Sequence, residues 1–168
     1  MLSQLILAGV PRKESAMGMT STQPRREASL TLTRSFKAPR TRVFQAWTDP
    51  EELKKWWQLG HGWKLTIAEV DLRVGGKYRI GLHSTEDSST HRVTGTFREI
   101  SAPDRLVYTW NVEDPKSKEE SLVTVEFLDK GSSTDVILKH DRLAGKESRR
   151  NTYDGWLTVL DGLVRLLG

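Results

Sequence analysis

Tyr153-Asp-Gly-Trp-Leu-Thr-Val-Leu-Asp-Gly-Leu-Val-Arg-Leu-Leu167 repeats its apolar residues at steps of three and four. Tyr153, Trp156, Leu157, Leu160, Leu163, Val164 and Leu167 fall on one wide stripe of a helix. Taken from about Glu147, this helix spans about 30 Å at about 1.5 Å per residue, enough to cross a whole sheet. A stripe that long needs a partner surface, and the upstream sequence offers one.

That surface is a series of strand-like runs. Leu30, Leu32 and Phe36 alternate with Thr31, Thr33, Ser35 and Lys37, the pattern of a half-buried strand. Six further runs follow: Trp63–Leu72, Lys77–His83, His91–Ile100, Arg105–Val112, Leu122–Asp129 and Thr134–His140. They are separated by turn residues such as Gly75-Gly76, Pro103-Asp104 and Gly131-Ser132. Connections this short favour antiparallel hairpins over parallel crossovers. Between the first strand and the second lie two short helices. Pro39 opens one, with Val43, Ala46 and Trp47 on a face. Asp49-Pro50-Glu51-Glu52 starts the other, with Asp as N-cap, Pro in the first turn and Glu three residues on, before Leu53, Trp56 and Trp57. The predicted fold is α+β: a seven-stranded antiparallel sheet wrapped around a long C-terminal helix, with two short helices able to form a lid over a gap at one end.

Composition fits a soluble globular domain, with 36% apolar and 29% charged residues among 168. No cysteine is present, which removes disulfides, thiolate metal sites and cysteine nucleophiles. The net charge of +4 invites a nucleic-acid reading. Residues 1–28 carry half of it, with Arg12, Lys13, Arg25 and Arg26 against Glu14 and Glu27. The rest of the chain interleaves both signs, and no basic run exceeds two residues. A phosphate-tracking surface needs clustered cations, so a nucleic-acid partner is not expected.

Residues 1–28 have no sustained period and read as a disordered tail, leaving 29–168 as one domain. Leu5–Val10 is too short an apolar run to span a bilayer, and nothing around it makes a signal peptide, so membrane insertion is not expected and the location is expected to be cytoplasmic. Met17 or Met19 is the expected start of translation; a native peptide covering Leu2–Arg12 would overturn this.

Candidate chemistry is sparse. His61, His83, His91 and His140 form no dense ligand spacing, although His83 and His91 could meet across a hairpin as a metal pair. His140 shares parity with Val136 and Leu138, so it points toward the helix, either as a satisfied core imidazole or as a polar anchor. Tyr78, Tyr108, Trp110 and Tyr153 put polar tips on apolar bodies at inward positions, as pocket lining or as core. Trp56, Trp57 and Trp63 flank the presumed lid beside Gly60 and Gly62. Gly75-Gly76 lacks the spacing of a phosphate loop, and no nucleophile with its base can be read.

Several runs in order carry a family resemblance. They are Phe36-Lys-Ala-Pro-Arg-Thr-Arg-Val-Phe-Gln-Ala-Trp-Thr-Asp-Pro-Glu-Glu-Leu-Lys-Lys-Trp-Trp57, Asp71-Leu-Arg-Val-Gly-Gly-Lys-Tyr78, Gly95-Thr-Phe-Arg-Glu-Ile100, Pro103-Asp-Arg-Leu-Val-Tyr-Thr-Trp110, Ser121-Leu-Val-Thr-Val-Glu126, Thr134-Asp-Val-Ile-Leu-Lys-His140 and Gly155-Trp-Leu-Thr-Val-Leu-Asp-Gly-Leu163. Across residues 29–168 the chain resembles domains similar to the C-terminal half of the activator of heat-shock protein 90 ATPase, within the START-like, Bet v-like (SRPBCC) superfamily. The resemblance implies the helix-grip fold. It implies binding of a small hydrophobic or amphipathic molecule between sheet and C-terminal helix, without a cofactor and without catalysis. The expected ligand-binding residues are Trp57, Tyr78, Tyr108, Trp110, His140, Tyr153 and Trp156. Two alternatives come with the superfamily: a co-chaperone-like regulator of heat-shock protein 90 in the stress response, with a chaperone as partner, and a polyketide-cyclase-like enzyme.

Overall fold

The computed structural model describes residues 28–114 and 120–168. The expected tail lies outside them apart from Ala28, and so do Met17 and Met19. Strand β1 (Ala28–Phe36) leads into helices α1 (Arg40–Thr48) and α2 (Pro50–Trp56). A meander follows: β2 (Trp63–Val70), β3 (Lys77–Ser84), β4 (Thr90–Ser101), β5 (Arg105–Val112), β6 (Ser121–Asp129) and β7 (Thr134–Leu143). Helix α3 (Lys146–Leu167) closes the chain. The seven strands form one antiparallel sheet in the order β1-β7-β6-β5-β4-β3-β2. β1 and β2 are therefore its two edges, and α1 and α2 carry the chain from one edge to the other.

The predicted architecture is the observed one, and its elements form for the reasons the sequence suggested. On β6 and β7 the alternation places Val123, Val125, Phe127, Val136 and Leu138 in the core, each at most 1% exposed. Burying each such side chain contributes about 2 kcal/mol. Asp49 caps α2 by accepting the Glu51 N–H at 2.9 Å, with Pro50 in the first turn. The capping box does not close, however. Glu52 turns its carboxylate to Arg42 (2.6 Å) and Lys55 (2.8 Å), and those two hydrogen bonds hold its carboxyl below the usual carboxylate range.

Two glycines set the packing. A Cβ at Gly162 of α3 would lie 2.1 Å from the carbonyl oxygen of Trp56, so the end of α2 rests directly on the α3 backbone. A Cβ at Gly95 of β4 would lie 1.9 Å from the Thr109 carbonyl and 2.7 Å from the Tyr78 hydroxyl. Tyr78, directly opposite Gly95, lies over that bare position and donates to Thr109 O at 2.6 Å. The phenol thus takes up the Thr109 carbonyl, while the Thr96 N–H turns to Thr109 Oγ1 at 2.8 Å. At the far edge an Arg34–Asp161 ion pair ties β1 to α3.

Candidate functional site

Helices α1 and α2 do not seal the sheet beneath them. A half-open cavity remains, lined by Trp47, Leu53, Trp57, Val70, Tyr78, Ile80, Phe97, Leu106, Tyr108 and Trp110. Its empty space is about 350 Å3 with the open mouth included, and the enclosed part has room for about two waters. A drug-sized guest needs about 300 Å3 or more, so it would require the lid to shift.

The walls belong to the lid (Trp47, Leu53, Trp57) and to β2–β5. Four of the seven expected ligand residues line the cavity: Trp57, Tyr78, Tyr108 and Trp110. The other three do not, because the void lies beneath α1 and α2 rather than between sheet and α3. Trp156 forms a wall behind it, with ring centres 5.6 Å from Trp57, 5.2 Å from Trp110 and 6.4 Å from Trp47. Tyr153 stays half-buried one turn before it.

His140 is fully buried and fully engaged. Trp156 Nε1–H can only donate, and it does so to His140 Nδ1 at 3.0 Å. A neutral imidazole then carries its proton on Nε2 and donates to Ser121 Oγ at 2.7 Å. Ser121 passes its own proton to Trp110 O at 3.2 Å. Burial drives the imidazole pKa down to about 3, so the ring stays neutral near pH 7. Neither nitrogen is left to anchor a ligand or take a proton from one. His83 and His91 do not meet either. His91 pairs with Leu82 and His83 with Thr90, so the two imidazoles point to opposite faces of the sheet. Among the described residues no group of three or more His, Asp or Glu side chains could hold a metal ion, and no helix is long and apolar enough to cross a membrane.

The polar atoms of the cavity wall are few. Trp47 Nε1–H donates to Tyr108 Oη at 3.3 Å. Tyr78 spends its proton on Thr109 O. Burial raises both phenol pKa values well above their ordinary range, so neither ionises near neutrality. Trp47, which is 5% exposed, was not among the expected site residues. Its place on the apolar face of α1, beneath the predicted lid, was the available signal. Phe97, Leu106, Ile80, Val70 and Leu53 were also unexpected; their sequence pattern reads as ordinary core.

A model of the family described as activator of Hsp90 ATPase homolog 1-like protein matches residues 37–168. No curated protein matches. Among solved structures, protein CV1439 from Chromobacterium violaceum is 26% identical, with a TM-score of 0.74, over 83% of this chain and 96% of that one. The AHSA1-like protein from Aeromonas hydrophila is 25% identical, with a TM-score of 0.67, over 82% and 90%. The AHSA1 protein from Silicibacter pomeroyi shares the fold at 23% identity, with a TM-score of 0.73, over 82% and 96%.

Proposed function

The chain belongs to the activator of Hsp90 ATPase homolog 1-like family, and from that premise we propose that it binds a small hydrophobic or amphipathic molecule under α1 and α2. The observation that carries this reading is the half-open cavity, whose ten lining residues are all apolar or aromatic. A protein with no use for the space would gain stability by filling it, since an empty void forfeits contacts on every wall. The lid offers a way in. The link from α2 to β2 holds Gly60 and Gly62 at φ +105° and +89°, a conformation that costs glycine little.

The same wall argues for binding rather than catalysis. It contains no carboxylate, imidazole or amine, and a cyclase needs an acid or base at the reacting atoms. His140, whose ring centre lies 5.5 Å from that of Trp110, has both nitrogens engaged. Association with a chaperone is a second reading, favoured by the family description. A pull-down with Hsp90, read together with its ATP turnover, tests it; neither retention nor a rate change would discard it.

The cavity reading is tested with the neutral probe N-phenyl-1-naphthylamine, whose emission rises in apolar surroundings. Saturable one-site binding is expected, and Ile80→Phe, which fills the void, should block it while the fold persists. Binding that is unsaturable, or unchanged in a folded Ile80→Phe variant, would sink the proposal.

A further inference from the structure

The hydrogen-bonding atoms of the cavity wall are unbalanced in one direction. Tyr108 Oη accepts from Trp47, but its own proton meets no acceptor among the described residues. The indole N–H groups of Trp57 and Trp110 also meet no protein acceptor, but no buried side-chain nitrogen or oxygen among the described residues lacks a partner, so both reach solvent. Both rings line the void, stacked at 6.3 Å between centres. The Tyr108 proton is therefore the one unspent donor at the wall of this small apolar space, among the described residues. On the accepting side the wall side chains offer only phenol oxygens, one already holding the Trp47 proton and the other turned to Thr109.

Charge is missing from the same wall. None of the ten lining residues is ionisable apart from the two tyrosines, which stay protonated. The cations of the lid are all paired: Arg42 and Lys55 with Glu52, Arg40 with Asp104 and Lys54 with Glu51. A carboxylate or ammonium brought into the void would lose its hydration with no counter-charge to replace it. A neutral acceptor loses far less and gains a donor.

We infer that the cavity selects an uncharged, flat apolar molecule bearing a hydrogen-bond acceptor, a carbonyl being the simplest, with Tyr108 Oη as the donor and the Trp57 and Trp110 rings as walls. The inference rests on the cavity being a ligand site and adds the chemistry of the ligand. Flatness follows from the walls, because stacked indoles reward a planar guest along its whole face.

Three probes of one shape separate the two levels. Equilibrium dialysis of the full chain against 2-acetylnaphthalene, 2-ethylnaphthalene and 2-naphthoate gives three dissociation constants. The ketone should bind about fivefold more tightly than the hydrocarbon, the worth of one net neutral hydrogen bond. The carboxylate should bind at least about tenfold more weakly than the ketone. Tyr108→Phe should erase the preference for the ketone over the hydrocarbon, whatever their common affinity becomes, and circular dichroism checks that the variant is folded. Equal binding of ketone and hydrocarbon, tightest binding of naphthoate, or a ketone preference that survives Tyr108→Phe would each overturn the inference while leaving a ligand site in place. Failure of all three probes to bind would remove the ligand site and the inference together. The wild-type comparison stands without the variant.

Discussion

The two ends of the aromatic cluster treat their polar atoms in opposite ways. Around His140, on β7, β6 and α3, every donor meets an acceptor: Trp156 to His140, His140 to Ser121, Ser121 to the Trp110 carbonyl. Under the lid, on α1, α2 and β2–β5, the same residue types enclose a void and leave the Tyr108 proton without a protein acceptor. Trp156 stands between the two, donating to one and packing its ring against the other. A buried polar group that is satisfied specifies structure, and one that is left over specifies a guest. Residue type alone does not separate the two roles.

The largest effect that would sharpen this contrast is expected at Trp156. Trp156→Ala should cost about 4 kcal/mol in urea unfolding, through a large cavity and a lost donor to His140. Trp57→Ala removes an indole that already borders empty space, and about 2 kcal/mol is expected. Equal losses at the two sites would erase the distinction between a closed and an open half.

Acid tests the closed half separately. The unfolded chain protonates His140 near pH 6.5, whereas the folded one does so only at about 3. Above pH 6.5 both states are neutral and this residue adds no pH dependence. Between 6.5 and 3 the unfolded state binds the extra proton, so stability falls by about 1.4 kcal/mol per pH unit. His91, half-buried and also lowered by burial, adds in the same direction, as do carboxylates such as Glu52 and Glu113 whose folded pKa values are depressed. Comparing His140→Phe with the parent at pH 7.0, 5.5 and 4.5 isolates the His140 part. The variant should be the less stable at pH 7 and have the shallower slope; an unchanged slope means that the imidazole is not held neutral. At the small end, Arg105→Gln on the outer face breaks exposed pairs with Glu99 and Glu126 and should change stability by about 0.5 kcal/mol or less. A larger loss would show that the outer surface shares the stabilising load assigned here to the core.

The sequence already spelled out the architecture because it rests on local periods. Alternation in Val123/Val125/Phe127 and the stripe from Tyr153 to Leu167 are properties of neighbouring residues, and the strand limits follow them within a few positions. The site was legible only by parity. Tyr78, Tyr108 and Trp110 had to point inward, and they do. Which inward residues meet a void and which meet partners depends on contacts remote in sequence. His140 is closed off by Ser121 and Trp156, 19 and 16 positions away, and no local pattern announces that. The His83–His91 pair failed for a related reason. One position of register in a hairpin exchanges the two faces, and the turn residues alone did not fix it.

The path from β1 through α1 and α2 to β2 carries one more consequence. The meander β2–β7 and α3 are continuous without that path, and β1 joins them at the β7 edge of the sheet and through Arg34 to Asp161 of α3. Cutting the chain between Gly60 and Gly62 would therefore yield two fragments related as donor and acceptor. The short one offers a strand and the roof of the cavity, the long one an unpaired β7 edge and the floor. Strand donation of this kind is how extended peptides add to open sheets. Mixed in solution, the two pieces should complement each other, with the cavity existing only in the reconstituted pair.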